Sequence, residues 1–415
     1  MITQQAGQDY LHPISLRLNG DSGASHEAVE ARCATAPIRV LFLIDALRGL
    51  GGGETSLMRI VRLMPADRIQ CSIVTLDDQV SPVLARQLTC PLYSFPIRRA
   101  FDFQSLWVAS RLRRLLRTER IDVVHTLFES ANLWGGLVAK IGGGPLLVSS
   151  RRDMNILRNR GKHQLGYALV NRICDRVLTV SDAVRDLCIR EERLAPEKVV
   201  TLYNGVELDQ ISAIPFDRQL RERCAFSPSD PIITSVANVR RVKGLDTLVK
   251  TAGVVCREFP NARFLVVGGE NEPDCGEELR ADIQARNLQR NFFFMGLTEQ
   301  VIPVLKTSQV FCLMSRTEGF SSAVLEAMAC SLPCVVTDVG GNPEAVVDGE
   351  TGFVVAPEDH LEAAHRILCL LGDPQRRSAM GAAGREVVAS RFTATKMVSD
   401  LASFYERLVL ERAGQ

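Results

Sequence analysis

Two successive series of short, unbroken apolar runs limit what this chain can become. The first comprises 38–44 (IRVLFLI), 71–76, 92–97, 121–125, 146–149 and 177–180; the second comprises 232–236, 264–268, 292–295, 310–314, 334–339 and 353–355. Runs that do not alternate with polar residues read as strands buried on both faces, the mark of parallel sheets. Parallel neighbours need crossovers, and helical spacing fills intervening stretches such as 245–259, 277–288 and 361–371. The expected class is α/β: two Rossmann-like, doubly wound parallel-sheet domains facing a cleft. The mixed, charged, Pro-containing segment 207–230 holds the junction, which gives an N-terminal domain over 37–210 and a C-terminal domain over 211–392. Residues 1–36 are polar and without period, and read as a disordered extension. In 393–412 the residues Met397, Leu401, Phe404, Leu408 and Val409 form a helical stripe that must pack on something.

The chain's 415 residues suffice for two such cores. No apolar run approaches the roughly eighteen residues of a membrane span, and no signal pattern opens the chain, so secretion is not expected. Twelve cysteines include no Cys-x-x-Cys pair, and several lie inside apolar runs. That disfavours a metal cluster or a disulfide framework, and a reducing cytoplasm fits better. The net charge of +1 hides an asymmetry: residues 37–200 carry 25 Lys/Arg against 16 Asp/Glu. A basic half suggests an anionic partner, a phosphate, a lipid headgroup or nucleic acid, although solvated arginine faces give the same count. The segment RLRRLLRTER (111–120) reads as a basic amphipathic helix, fit either to cover the sheet or to lie on an anionic membrane.

Chemistry concentrates in 315–341, SRTEGFSSAVLEAMACSLPCVVTDVGG. Glu318 falls in a loop after a strand, and Glu326 inside the helix that follows over 321–330. At about 1.5 Å rise per residue they stand roughly 12 Å apart at most, too far to flank one bond and near the reach from ribose to sugar of a nucleotide-diphospho-sugar. Backbone amides of Gly319, Phe320 and Ser321 can hold a diphosphate between them. A loop Glu or a mid-helix Glu is often merely solvated, but both stand where a strand's carboxyl end meets a helix, which is where open α/β sheets bind ligands. A second glycine cluster, Gly51, Gly52 and Gly53, follows the first strand and precedes a helix expected over 54–63. Glu54 excludes a dinucleotide fingerprint there, and the lack of a nearby lysine excludes a P-loop. His125 ends the run IDVVH, at the ligand-side edge of the first sheet.

These landmarks together resemble the retaining glycosyltransferases of family 4, which have the GT-B fold. The matching elements are TEGFSSAVLEAMACSLPCVVTDVGGNPE with its E-x7-E pair, the glycine loop, IDVVH, VSDAVRD, YNGV and the Lys-Gly at 243–244. The resemblance spans about residue 38 to the C-terminus. It implies a nucleotide-sugar donor and a hexose-type sugar moved to a polysaccharide, lipopolysaccharide or lipid-linked acceptor. It implies no metal and no other cofactor, no nucleic-acid partner, and work in the cytoplasm or on the inner membrane face. Carried over by position, Glu326 binds the donor ribose, Glu318 lies beside the transferred sugar, Lys243 binds the diphosphate, and Gly51–Gly53 close from the opposite domain. Glu318, Lys243 and His125 are thereby the catalytic candidates. The role of Glu344 in GGNPE is left open. The last helix is expected to pack back on the N-terminal domain. Two departures stand out: Asn238 replaces the family's arginine, so that Arg240 or Arg241 is the candidate to supply the charge, and Leu127 replaces the second histidine of His-x-His. A sugar-nucleotide epimerase and a non-catalytic sugar-nucleotide-binding protein remain alternative readings of the same fold.

Overall fold

The structure, a computed structural model, describes residues 36–49, 51–97, 103–154 and 161–414. The extension read over 1–36 lies outside the described residues apart from Ala36. Seven strands form the first sheet: β1 (Ile38–Ile44), β2 (Ile69–Thr75), β3 (Leu92–Ser94), β4 (Val123–Leu127), β5 (Leu146–Arg151), β6 (Arg176–Thr179) and β7 (Val199–Thr201). Six form the second: β8 (Ile232–Val236), β9 (Arg263–Val267), β10 (Phe292–Gly296), β11 (Val310–Leu313), β12 (Cys334–Thr337) and β13 (Gly352–Val355). The orders are β3-β2-β1-β4-β5-β6-β7 and β10-β9-β8-β11-β12-β13. All named pairs are parallel. Strand order therefore reverses between β1 and β4 and again between β8 and β11, and each reversal opens a crevice at the strands' carboxyl ends. β4, β11 and β12 are buried at every position, which is why their sequences do not alternate.

The helices that position the site are α1 (Gly52–Leu63), α2 (Phe103–Thr118), α3 (Asp182–Glu191), α4 (Leu245–Glu258), α5 (Ser322–Ala329), α6 (Pro374–Arg391) and α7 (Ala394–Ala413). α1 begins two residues earlier than the sequence suggests, so Gly52 and Gly53 form its first turn and only Gly51 remains outside as the N-cap. Gly53 is required by packing: a Cβ there would meet the Phe128 ring at 2.3 Å. α7 crosses back onto the first sheet. Its Met397, Val398, Leu401 and Tyr405 are buried in one cluster with Val40, Phe42 and Ile44 of β1 and Leu57 and Ile60 of α1. Each such side chain contributes roughly 1.5–3 kcal/mol on burial. The bidentate pair of Arg68 with Glu406 (2.8 and 2.7 Å) fixes the outer edge. The crossover is pinned where Ala394 N–H donates to Val206 O at 2.8 Å and Val206 N–H to Phe392 O at 2.9 Å. A Cβ at Gly205 would sit 2.4 Å from Thr393 O, which accounts for the glycine in YNGV.

Candidate active site

The loops after β8 and β11 lie side by side because those strands are neighbours at the reversal of the second sheet. Lys243 closes a short turn over Arg241–Lys243, and Gly244 follows with φ +60°. A Cβ on Gly244 would stand 1.8 Å from Met314 O, so glycine is what lets the two loops touch. Lys243 Nζ then donates to Glu318 Oε1 at 2.7 Å. Ser315 Oγ donates to the same oxygen at 2.6 Å, and Ser315 O is itself held by Thr337 Oγ1 at 2.6 Å. Arg316 stitches both loops to the scaffold, with two bonds to Asp246 (2.8 and 2.7 Å) and one to Arg241 O (2.6 Å). The acid and the lysine expected to share a cleft are in direct contact, and the Glu318 side chain is only 9% exposed.

The opposite wall comes from the first sheet. α1 begins at Gly51 and α5 at Ser321, and neither N-cap residue makes a side-chain capping bond. An ideal Cβ on Gly52 would lie 4.0 Å from Ser322 Oγ, so the two helix N-termini face each other across the cleft. Both dipoles present positive ends and free amides to whatever lies between. Glu326, on α5, looks toward Arg59 of α1, whose Nη2 is 3.8 Å from Oε1. Burial raises the Glu326 carboxyl above the usual range, and Arg59 partly offsets this.

Two bonds tie the Glu318 loop to the N-terminal domain, and a third braces one of them from behind. Ser181 Oγ donates to Gly319 O at 2.8 Å, and Asn204 Nδ2 to Phe320 O at 3.1 Å. Arg152 Nη2 donates to Asn204 Oδ1 at 2.8 Å behind it. Glu344, whose role the sequence left open, accepts from the backbone N–H groups of Asp182 and Ala183 at 2.8 Å each and thereby caps α3 from the other domain. Ser181 and Asn204 stand within VSDAVRD and YNGV, so the sequence signal for them existed, but only as landmarks without roles.

The structure corrects two expectations, on His125 and on Arg240 and Arg241, and places the Phe320 side chain. His125 is not at the strand's edge: β4 continues through Thr126 and Leu127, and the imidazole is buried, 2.6 Å from Tyr405 Oη on one side and 2.6 Å from Ser150 Oγ on the other. One nitrogen ties α7 to the sheet through Tyr405 and the other ties β4 to β5 through Ser150, so the geometry gives His125 a structural role. Arg240 and Arg241 are turned onto outer carboxylates. Arg240 Nε is 3.3 Å from Glu272, and Arg241 grips Glu278 bidentately at 2.7 Å. Phe320 places its ring between Tyr203 (5.1 Å) and Phe392 (5.2 Å), an aromatic seam between the domains, which leaves only its backbone for a ligand. The remaining candidates, Gly51, Gly52, Gly319, Ser321, Glu318, Glu326 and Lys243, converge on the cleft.

Burial pushes the His125 pKa from 6.5 down to about 3. The unfolded chain binds this proton below pH 6.5 and the folded chain does not until about pH 3. His125 therefore contributes stability present above pH 6.5 that is lost as pH falls toward 3, with a slope approaching about 1.4 kcal/mol per pH unit. Denaturant unfolding from pH 7 to 4 should show a shallower decline for His125→Gln than for wild type. Parallel curves would mean the imidazole titrates alike in both states.

Residues 50–210 match Glycosyltransferase Family 4, and residues 217–387 match Glycosyl transferases group 1. N-acetyl-alpha-D-glucosaminyl L-malate synthase of Bacillus anthracis is 28% identical over 72% of this chain and 78% of its own. The UDP-Gal:alpha-D-GlcNAc-diphosphoundecaprenol alpha-1,3-galactosyltransferase of Escherichia coli is 24% identical over 88% and 95%. Among solved structures, Anabaena Alr3699/HepE in complex with UDP and glucose has a TM-score of 0.79 at 20% identity, covering 89% of this chain and 100% of its own, a likeness of fold.

Proposed function

This chain is a glycosyltransferase of family 4 with the GT-B fold, and from that premise we propose that it transfers a hexose-type sugar, with retention, from a nucleotide-diphospho-sugar to a polysaccharide, lipopolysaccharide or lipid-linked acceptor. The observation that carries the reading is the Lys243–Glu318 contact beside two uncapped helix N-termini that face each other. Breaking the glycosidic bond puts charge on the diphosphate oxygens. A lysine and oriented amides in a cleft partly shielded from water stabilise that charge without reorganising; removing one such donor typically costs about 2.7–4 kcal/mol, or 10²–10³ in rate. Glu326 at the inner end of α5 would take the ribose hydroxyls, and Glu318 the sugar. Because these carboxylates have separate partners at separate places, they suit the two ends of a donor clamp better than a nucleophile–acid pair. The acceptor hydroxyl then attacks on the face the diphosphate leaves, and the seam of interdomain bonds keeps water out. With Lys243 and the helix ends supplying the positive charge, the reaction needs neither metal nor other cofactor.

A thermal-shift panel of UDP- and GDP-sugars identifies the donor, since a bound ligand raises the melting temperature by mass action. With that donor, nucleoside diphosphate should appear only when acceptor is added, at a rate unaffected by EDTA, and the product should keep the donor's anomeric configuration. Turnover of the donor without acceptor would point to epimerisation instead.

The site is proposed to work at an anionic membrane surface on the cytoplasmic side. No helix among the described residues is long and apolar enough to cross a membrane. α2 buries Val108, Leu112 and Leu116 against the sheet, so the leucines of its basic segment are core. Its outer face shows Phe103 (93% exposed), Leu106 and Trp107, followed by the exposed Arg111, Arg114 and Arg117. Aromatic residues beside arginines suit a headgroup layer. Binding to phosphatidylglycerol vesicles should weaken as salt rises and should fall in the double variant Phe103→Ser/Trp107→Ser. Binding indifferent to both would leave this face as ordinary surface.

A further inference from the structure

The C-terminal wall of the cleft brings one lysine to the expected diphosphate position, and the second cation must be sought elsewhere. Asn238 is neutral and occupied, its Oδ1 accepting from Gly269 N–H at 2.8 Å. Arg240 and Arg241 spend their guanidinium groups on Glu272 and Glu278. On the facing wall, Arg152 directly follows β5. Its carbonyl oxygen would be 2.1 Å from a Cβ on Gly319, so its backbone lies against the donor loop. Its guanidinium donates to Asn204 Oδ1, and Asn204 in turn holds Phe320 O. That direct partner is a neutral amide. The carboxylate acting on the Arg152 charge, Glu54 in the first turn of α1, does so through space, and burial raises its own pKa. Burial lowers the Arg152 pKa to about 10. A half-buried guanidinium that is only partly neutralised is completed by an anion. It stands beside the loop where the diphosphate is read to bind.

We propose that Arg152 is the second cation on the donor diphosphate, supplied by the N-terminal domain in place of the arginine missing at position 238, with Glu54 as its resting counter-charge. The inference rests on the glycosyltransferase reading. Arg152 and Lys243 come from facing walls of the cleft, so neutralisation of the leaving group draws on both domains at once.

The test is a double difference in affinity, with UDP and GDP each measured against its nucleoside by calorimetry on the full chain. For the diphosphate that binds wild type, Arg152→Gln should weaken affinity by roughly 10- to 100-fold, while the matching nucleoside binds as before. Arg152→Lys should recover part of the loss. Glu54→Gln, which leaves Arg152 in place, should tighten the diphosphate several-fold, the opposite sign. Equal losses for diphosphate and nucleoside, or no loss for either, would make Arg152 a brace for Asn204 and overturn the proposal. Failure of wild type to bind either diphosphate would sink the proposed donor site itself, and this inference with it.

Discussion

Glu318→Gln should lower kcat by about 10²–10³ while leaving nucleoside diphosphate affinity unchanged or slightly improved. The split follows from what the carboxylate holds. Its Oε1 accepts from both Lys243 and Ser315, so it orients the lysine as well as facing the sugar. An amide removes the charge and releases Lys243 toward the phosphates. Binding of the leaving group is therefore spared, whereas the arrangement that matters at the moment of bond breaking is lost. Steady-state kinetics and calorimetry on one preparation separate the two. A variant with unchanged kcat would remove Glu318 from the site, and one that loses diphosphate affinity in step with kcat would make it a general structural support.

Gly340→Ala should cost about 10²-fold in activity under conditions where the variant is still folded. Gly340 adopts φ +52°, and a Cβ there would sit 1.7 Å from Glu318 O. The left-handed conformation alone costs an alanine roughly 1–2 kcal/mol. The clash adds something specific, because relieving it must push the Glu318 backbone away and strain the adjoining Gly341 N–H to Gly319 O bond of 2.9 Å. Gly349→Ala is the matched control: φ is +77°, with nothing within 4 Å of its Cβ position. Both variants carry the left-handed cost and Gly340→Ala loses more stability through the added clash, but only Gly340→Ala should lose turnover. Equal activities would show that the Glu318 loop tolerates displacement.

Most strands could be read because burial on both faces leaves an unbroken apolar signal; β7 was missed, being three residues long and only partly buried. α6 could not: it packs partly through small residues, with Gly381 so close to Ser331 O that a Cβ would meet it at 2.0 Å, and so shows no broad apolar stripe. His125 was misplaced for a related reason. Thr126 interrupts the run yet stays in the buried strand, its hydroxyl satisfied by Asn132 at 2.7 Å. A polar residue whose partner comes from a later turn looks like a strand's end. Lys243, Glu318 and Glu326 were legible through spacing that resembles a family, and the Lys243–Glu318 contact gives two of them a geometry. The bonds between the domains were not legible, since Ser181 meets Gly319 across 138 residues and Asn204 meets Phe320 across 116. Nothing local in either segment specifies its partner; only the return of α7 and the shared seam do.

In the proposed mechanism one donor lies across the cleft, gripped at both ends. A crystal structure of the protein with the nucleotide-sugar that most raises its melting temperature tests this directly. The ribose hydroxyls should lie on Glu326, the diphosphate between the α1 and α5 N-termini with Lys243 turned onto it, and the sugar beside Glu318. A nucleotide bound outside the cleft, with Lys243 still donating to Glu318 and the two helix ends untouched, would contradict it.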